Sequence, residues 1–283
     1  MTITATVLTH RLFAGAADGV VELIATARRV GATLRFDEGE TRKHGLSPGA
    51  GLELEAELSR DVDLAIVLGG DGTILTALRE YAGTGVPVFA VNYGEVGFLA
   101  TLDPDDSGRI FDRAFDGDYE VLALPTMTVS CPAGTWTAIN DVSVHRKPGL
   151  RVADLAYVLG GEDIGRVRSD GLVVATPAGS TGYNLANGGP ILAWGVEGYV
   201  VSFIAPHSLT ARPLVAAPAD LLTVRNRSRE EPVEIHADGR PACELPAGED
   251  VAIEFGRSHA LLAQLSGATF YHRFRERFGR LAA

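Results

Sequence analysis

A few short clusters of glycine, acid, amide and hydroxyl side chains hold the chemistry this chain could perform. The first is Gly69-Gly70-Asp71-Gly72-Thr73. Its glycines let the backbone approach a phosphate closely, and the open amides of a following helix favour negative charge. An aspartate among such donors would repel phosphate. Asp71 therefore suits a hydroxyl or a metal ion, unless it serves only as an N-cap in a tight turn. The second cluster is Asn140-Asp141, an amide beside a carboxylate, able to pair with the edge of a ribose or adenine and equally able to form a β-turn. The third runs Thr176-Pro177-Ala178-Gly179-Ser180-Thr181-Gly182-Tyr183-Asn184, with Gly188-Gly189-Pro190 after it. Its hydroxyls suit a phosphate or ribose, and Tyr183 can stack on a nucleotide. As a plain alternative, it is a hydroxyl-rich loop ending in a helix cap. Just ahead, Arg168 and Asp170 flank a glycine turn. The loops around His207 and His236 are polar, and their histidines read as structural.

Several chemistries are disfavoured by what the spacing lacks. Leu75 stands where a dinucleotide fingerprint needs its third glycine. No G-x-x-x-x-G-K-[ST] occurs, and Lys43 and Lys147 are the only lysines. No Ser-His-Asp spacing, no H-E-x-x-H and no Cys/His metal quartet is present. Cys131 and Cys243 lack metal-like spacing and read as ordinary thiols rather than a disulfide.

The elements around these clusters fall into two textures. Residues 3–9 alternate as a strand, and residues 17–30 form a helix with Val20, Val21, Ile24 and Ala27 on one face. A short strand covers 33–36, a glycine-rich mobile loop 37–51, and a short helix 52–58. The apolar run 64–68 is a buried strand ending at the Gly69 turn, with a helix from Ile74 through Leu78. Residues 86–91 form the next strand and lead into Asn92-Tyr93-Gly94-Glu95-Val96-Gly97-Phe98-Leu99, and residues 110–115 are helical. Strands alternating with helices predict a parallel α/β sheet, whose ligands bind at the carboxyl ends of its strands. Beyond residue 120 short β-runs follow one another: 124–130, 136–144, 153–159, 162–168, 171–175, 199–204, 221–224, 232–237 and 250–255. Residues 266–281 return to helix, with Phe270, Phe274 and Phe278 in one stripe that docks it on the body. The expected division is an α/β domain over 1–120, rejoined by 262–283, and a β-rich, sandwich-like domain over 121–261.

The 283 residues suit two domains or one large one, and a hydrophobic fraction of 46% supplies ample core. No apolar run approaches a membrane span. A net charge of −11 disfavours nucleic acid and anionic membranes as partners. An acidic protein can still handle phosphate if Mg²⁺ brings positive charge locally. The start Met1-Thr2-Ile3-Thr4 lacks the basic and apolar regions of a secretory signal, so a cytoplasmic location is expected.

In their order and spacing the clusters, together with Asn92-x-Gly94-x-Val96-Gly97-Phe98-Leu99, His207-Ser208-Leu209-x-x-Arg212-Pro213 and Asp238-Gly239, resemble the NAD kinase family over about residues 62–256. The resemblance implies an N-terminal α/β (Rossmann-like) domain, a β-rich C-terminal domain and a final helix returning to the first. It implies transfer of the γ-phosphoryl of ATP, or of polyphosphate, to the 2′-hydroxyl of the adenosine ribose of NAD, giving NADP. Mg²⁺ or another divalent cation would be held with the phosphates rather than in a protein cage, and the enzyme would be a homodimer or homotetramer. Asp71 would be the catalytic acid–base group. Gly72, Asn140, Asp141, Arg168, Asp170, Thr181, Gly182 and Tyr183 would hold NAD, Asp170 across a subunit interface. Gly69, Gly70, Thr73 and Asn92 would face the donor's phosphates. Ala178, Gly182, Val96, Asp141 and Arg240 depart from the residues common in that family, which bears on affinity and donor preference. Two alternatives share some features: a lipid or sugar kinase with the same Gly-Gly-Asp-Gly turn, and a non-catalytic NAD(P)-binding sensor. Asn140-Asp141 and the Thr176–Tyr183 cluster speak against the first, and Asp71 against the second.

Overall fold

Apolar strands alternating with amphipathic helices build the first part of the chain. In the computed structural model, which describes residues 2–11, 16–93, 97–99, 109–267 and 269–279, these are β1 (Thr4–Thr9), α1 (Ala17–Val30), β2 (Thr33–Arg35), α2 (Glu38–Lys43), β3 (Leu52–Glu53), β4 (Leu64–Leu68), α3 (Asp71–Glu80), β5 (Pro87–Val91) and α4 (Ile110–Asp116). The strands stand in the order β3-β2-β1-β4-β5, all parallel. Every residue of β4 is buried, as a strand covered on both faces requires. Helix α1 turns Val20, Leu23 and Ala27 inward and stops where Gly31 adopts φ +75°, a left-handed cap open to glycine. Val21, expected on the apolar face, instead points to solvent.

The later part is antiparallel: β6 (Glu120–Cys131), β7 (Gly134–Ala138), β8 (Asp141–Arg146), β9 (Ala153–Leu159), β10 (Glu162–Ser169), β11 (Gly171–Ala175), α5 (Tyr183–Ala186), β12 (Tyr199–Ile204), β13 (Leu214–Ala216), β14 (Leu222–Asn226), β15 (Val233–Ala237), β16 (Arg240–Leu245) and β17 (Asp250–Gln264), before α6 (Phe270–Phe278). One sheet runs β13-β12-β11-β8-β15-β16. Another carries β10-β9-β14 and the first half of β17. Alternate residues of β14 and β15 are buried, so each presents one face to an apolar core that includes Val142, Leu172, Tyr199 and Ile253. By contacts the chain forms two compact units, Met1–Ala123 with Ala260–Ala283 and Leu124–His259. The last residues of β17 lie parallel to β5 in the first unit. There α6 also packs, with Phe270 and Phe278 ring centroids 6.4 and 5.7 Å from Phe98. Phe274, also expected in the docking stripe, remains partly exposed.

Four sequence expectations are corrected. The polar segment 37–51 contains α2, started by the Asp37 carboxylate, which accepts the Glu40 amide at 2.7 Å. Residues 52–58 form no helix; only Leu52 and Glu53 take regular structure, as a strand on β2. The run 136–144 is broken at Ile139-Asn140 into β7 and β8. Cys131 and Cys243 are joined in a disulfide. The pairing of β6 with β7 and of β15 with β16 places them at neighbouring hairpins, which their 112-residue separation in sequence hides. Gly94 and Val96 of the second glycine loop lie outside the described residues.

Candidate active site

At the carboxyl ends of β1, β4 and β5 the first unit gathers its polar groups. The Gly69-Gly70 turn leads from β4 into α3, and the N-cap is Gly70 with no side-chain bond. Asp71 is therefore not the cap expected as the plain alternative. It is the first helical residue, and its carboxylate accepts the amides of Phe98 (2.9 Å, Oδ2) and Leu99 (3.1 Å, Oδ1). Gly97 permits this approach, because a Cβ there would stand 2.1 Å from Asp71 Oδ1. Gly69 is equally confined, its would-be Cβ 2.8 Å from Thr73 Oγ1, while Gly72 faces open space. Asn92, at the end of β5, is buried.

Arg273 of α6 lies beside Asp71 and donates to Phe98 O. Burial pulls its guanidinium down to about 10, with Asp71 countering. No local pattern marks Arg273, which sits among phenylalanines in a helix read only as a docking element. Lys43, one of the two lysines, also reaches this edge. Its ammonium donates to Thr9 Oγ1 at 2.9 Å and Glu40 Oε1 at 2.8 Å, in a network with His44, whose pKa burial lowers.

In the second unit the break between β7 and β8 is the organising point. Asn140 O accepts the Thr176 amide at 2.9 Å, and Thr176 Oγ1 donates to Ile139 O at 2.7 Å. A 3-10 turn over Ala178–Thr181 follows and lies directly on Asn140, where a Cβ on Gly179 would come within 2.0 Å of Asn140 O. Ser180 Oγ and the Leu192 amide bond at 2.9 Å, and Asn184 Nδ2 donates to Ser180 O and Pro190 O. Most hydroxyls of this cluster thus hold the turn itself together. What they leave on display is Asn140, Thr181, Gly182 and the Tyr183 ring, which is 37% exposed.

Tyr183 is stacked on His145, with centroids 5.7 Å apart and planes 12° apart, and His145 touches His236 at 5.0 Å. Burial first, then His236, lowers the His145 pKa, which favours a neutral ring. Asp141 is buried, and desolvation pushes its carboxyl up to about 7, with Asp238 adding to the shift. Asp170 is ion-paired with Arg146 within the chain. Arg168 stands apart from these groups, in an open cleft of about 380 Å³ that also gathers Arg151, Arg166, Arg227 and Arg229. Arg166 is paired with Asp154. Among the described residues Arg168, Arg227 and Arg229 have no carboxylate partner. The four further arginines were not singled out from sequence, since they are spread from 151 to 229 and meet only through sheet pairing.

Among the described residues no three His, Cys, Asp or Glu side chains are grouped as a metal site. The amides of Phe98 and Leu99 beside Asp71 are spent on its own carboxylate. The Asp71 carboxylate could offer oxygen to a divalent ion, whose remaining ligands would then have to come from bound phosphates and water.

Comparison with known proteins follows the same division. Residues 26–119 match the family model of the ATP-NAD kinase N-terminal domain, and residues 139–265 that of the ATP-NAD kinase C-terminal domain. An NAD kinase of Gemmatimonas aurantiaca is 32% identical over 96% of this chain and 94% of its own length. NAD kinase 2 of Streptomyces coelicolor is 34% identical over 88% and 85%. Among solved structures, yeast NADH kinase complexed with NADH shares the fold at TM-score 0.87 and 20% identity, covering 100% of this chain and 89% of that one. An NAD kinase from Archaeoglobus fulgidus in complex with ATP gives 0.74 at 25% identity, covering 99% of each.

Proposed function

This chain belongs to the NAD kinase family, and from that premise we propose how its residues divide the work of making NADP from NAD and ATP. The observation that carries the reading is the Asp71 carboxylate, pinned by the Phe98 and Leu99 amides at the open end of α3. A carboxylate with both oxygens already oriented can take the proton of the ribose 2′-hydroxyl as that oxygen bonds to the γ-phosphorus. The bond from the γ-phosphorus to the β,γ-bridging oxygen breaks, and ADP leaves with that electron pair. Phosphoryl transfer asks the protein chiefly for positioning and charge neutralisation. Gly69, Gly70 and Thr73, with Asn92, would face the donor's phosphates. Mg²⁺, when bound with those phosphates, would supply charge neutralisation there.

In the second unit Asn140, Asp141, Thr181, Gly182 and Tyr183 would hold the dinucleotide, the Tyr183 ring offering its face to a base. Arg168 would meet a phosphate from the arginine cleft. Asp170, paired with Arg146 in the isolated chain, would complete the site of a second subunit in a homodimer or homotetramer. The enzyme would work in the cytoplasm, with neither nucleic acid nor membrane as partner.

The direct experiment supplies purified protein with ATP, Mg²⁺ and NAD and reads NADP through a NADP-specific dehydrogenase. Parallel wells with NADH and with polyphosphate set acceptor and donor range. NADP formation is expected. Folded protein that makes none from any donor would contradict the reading.

A further inference from the structure

Asp238 closes the tight turn from β15 into β16 and holds φ +48°, a left-handed backbone that side-chain-bearing residues seldom adopt. Its carboxylate accepts three consecutive amides from nearly a hundred residues earlier: Ile139 at 3.0 Å on Oδ2, and Asn140 at 2.7 Å and Asp141 at 3.2 Å on Oδ1. Its own amide donates to Asp141 O at 2.9 Å. The break between β7 and β8 leaves those three N–H groups without a strand partner, and one carboxylate answers all of them. Unmet, each would carry the desolvation cost of a donor with no acceptor. The arrangement is reciprocal, so the turn and the break hold each other.

Asn140 and Asp141 are the two residues so presented. Asp141 is buried, and Asp238 is the charged group that bears on it. Tyr183 of α5 also faces Asp141, and Asp170 before β11 acts on Tyr183 in turn. His145 on β8 and His236 and Glu234 on β15 form the neighbouring ladder.

We propose that Asp238 is a positioning residue for the acceptor dinucleotide, fixing the backbone path that presents Asn140 and Asp141 without touching the ligand itself. The proposal rests on the reading of Asn140 and Asp141 as dinucleotide-binding residues. The Asp238 charge has a second consequence: it opposes ionisation of Asp141, so the acid limb of kcat/KM for NAD falls near neutrality and depends on Asp238.

The test is Asp238→Asn. Asparagine tolerates the left-handed backbone, so the turn survives, while one amide oxygen replaces a carboxylate and the charge is gone. KM for NAD is expected to rise about tenfold or more with KM for ATP within about twofold. The acid limb of kcat/KM for NAD should move to lower pH by about half a unit or more, the remainder being set by burial. In protein shown folded by thermal unfolding, an unmoved KM for NAD with an unmoved limb would overturn the proposal. So would both KM values rising by one common factor. Should Asp238→Asn not fold, Asp238→Gly keeps the backbone conformation and carries the same expectations. Asn140→Ala separates the two layers of the argument. If Asn140→Ala leaves KM for NAD unchanged, the site reading fails; if it raises KM and the Asp238 variants do not, the positioning role alone fails.

Discussion

The two units hold their acids in opposite ways. In the first, the backbone serves the side chain: the amides of Phe98 and Leu99 grip Asp71, which remains half-buried at a helix start. In the second, a side chain serves the backbone: Asp238 grips the amides of 139–141, and the acid it helps to present, Asp141, is buried. Each acid is therefore fitted to a different task. A partly exposed carboxylate with pinned oxygens would suit a reacting hydroxyl, as proposed for Asp71. A desolvated one with a like charge nearby suits recognition that depends on protonation state.

The contrast can be broken at either end. Short of replacing Asp71 itself, the largest effect is expected from Gly97→Ala, whose Cβ would stand 2.1 Å from Asp71 Oδ1 and must displace the carboxylate. Steady-state kinetics should show kcat lower by about 10²-fold with KM for NAD within about threefold. Gly179→Ala strikes the other unit, where its Cβ would meet Asn140 O at 2.0 Å, backbone that cannot yield cheaply. KM for NAD should rise about tenfold, and overpacking of about 1–3 kcal/mol should lower the unfolding midpoint by several degrees in calorimetry.

Asp141→Asn sharpens the comparison through pH. The Asp141 pKa is about 7 in the folded chain against 3.8 ordinarily, so between those values the folded state holds a proton that the unfolded state has released. Stability from this group is present at low pH and is lost as pH rises through 7. The variant lacks that loss, so its unfolding midpoint relative to wild type should climb by about 3 °C or more from pH 5 to pH 8. The smallest effect belongs to His145→Ala. It removes a ring pair worth about 0.5–1.5 kcal/mol, which should raise KM for NAD about two- to tenfold, with His145→Phe restoring most of it.

Where local pattern and tertiary demand agree, the sequence was legible. The periodicity of α1 returned its bounds, and the apolar runs of β4 and β5 announced buried parallel strands. Helix α2 escaped because Glu38–Lys43 has no apolar stripe, although Asp37 three residues before Glu40 is a capping signal that the structure uses. The site was legible as clusters but not as roles. The glycines at 97 and 179 stood out only as members of glycine-bearing clusters, whereas each makes room for a particular oxygen. Asp238 stood in a polar loop beside Gly239, and nothing local tells a residue at 238 that three amides at 139–141 await it. The Cys131–Cys243 bond and the arginine cleft were hidden for the same reason, being products of strand pairing over long separations.

The central claim is that Asp71 does the chemistry while residues of the second unit hold the dinucleotide. Asp71→Asn, with NAD affinity from titration calorimetry and turnover from the coupled NADP assay on the same preparation, tests it most directly. The account predicts an NAD Kd within a few-fold of wild type and kcat lower by about 10²–10⁴-fold, the scale of a lost acid–base group. Near-normal turnover in the folded variant would contradict it.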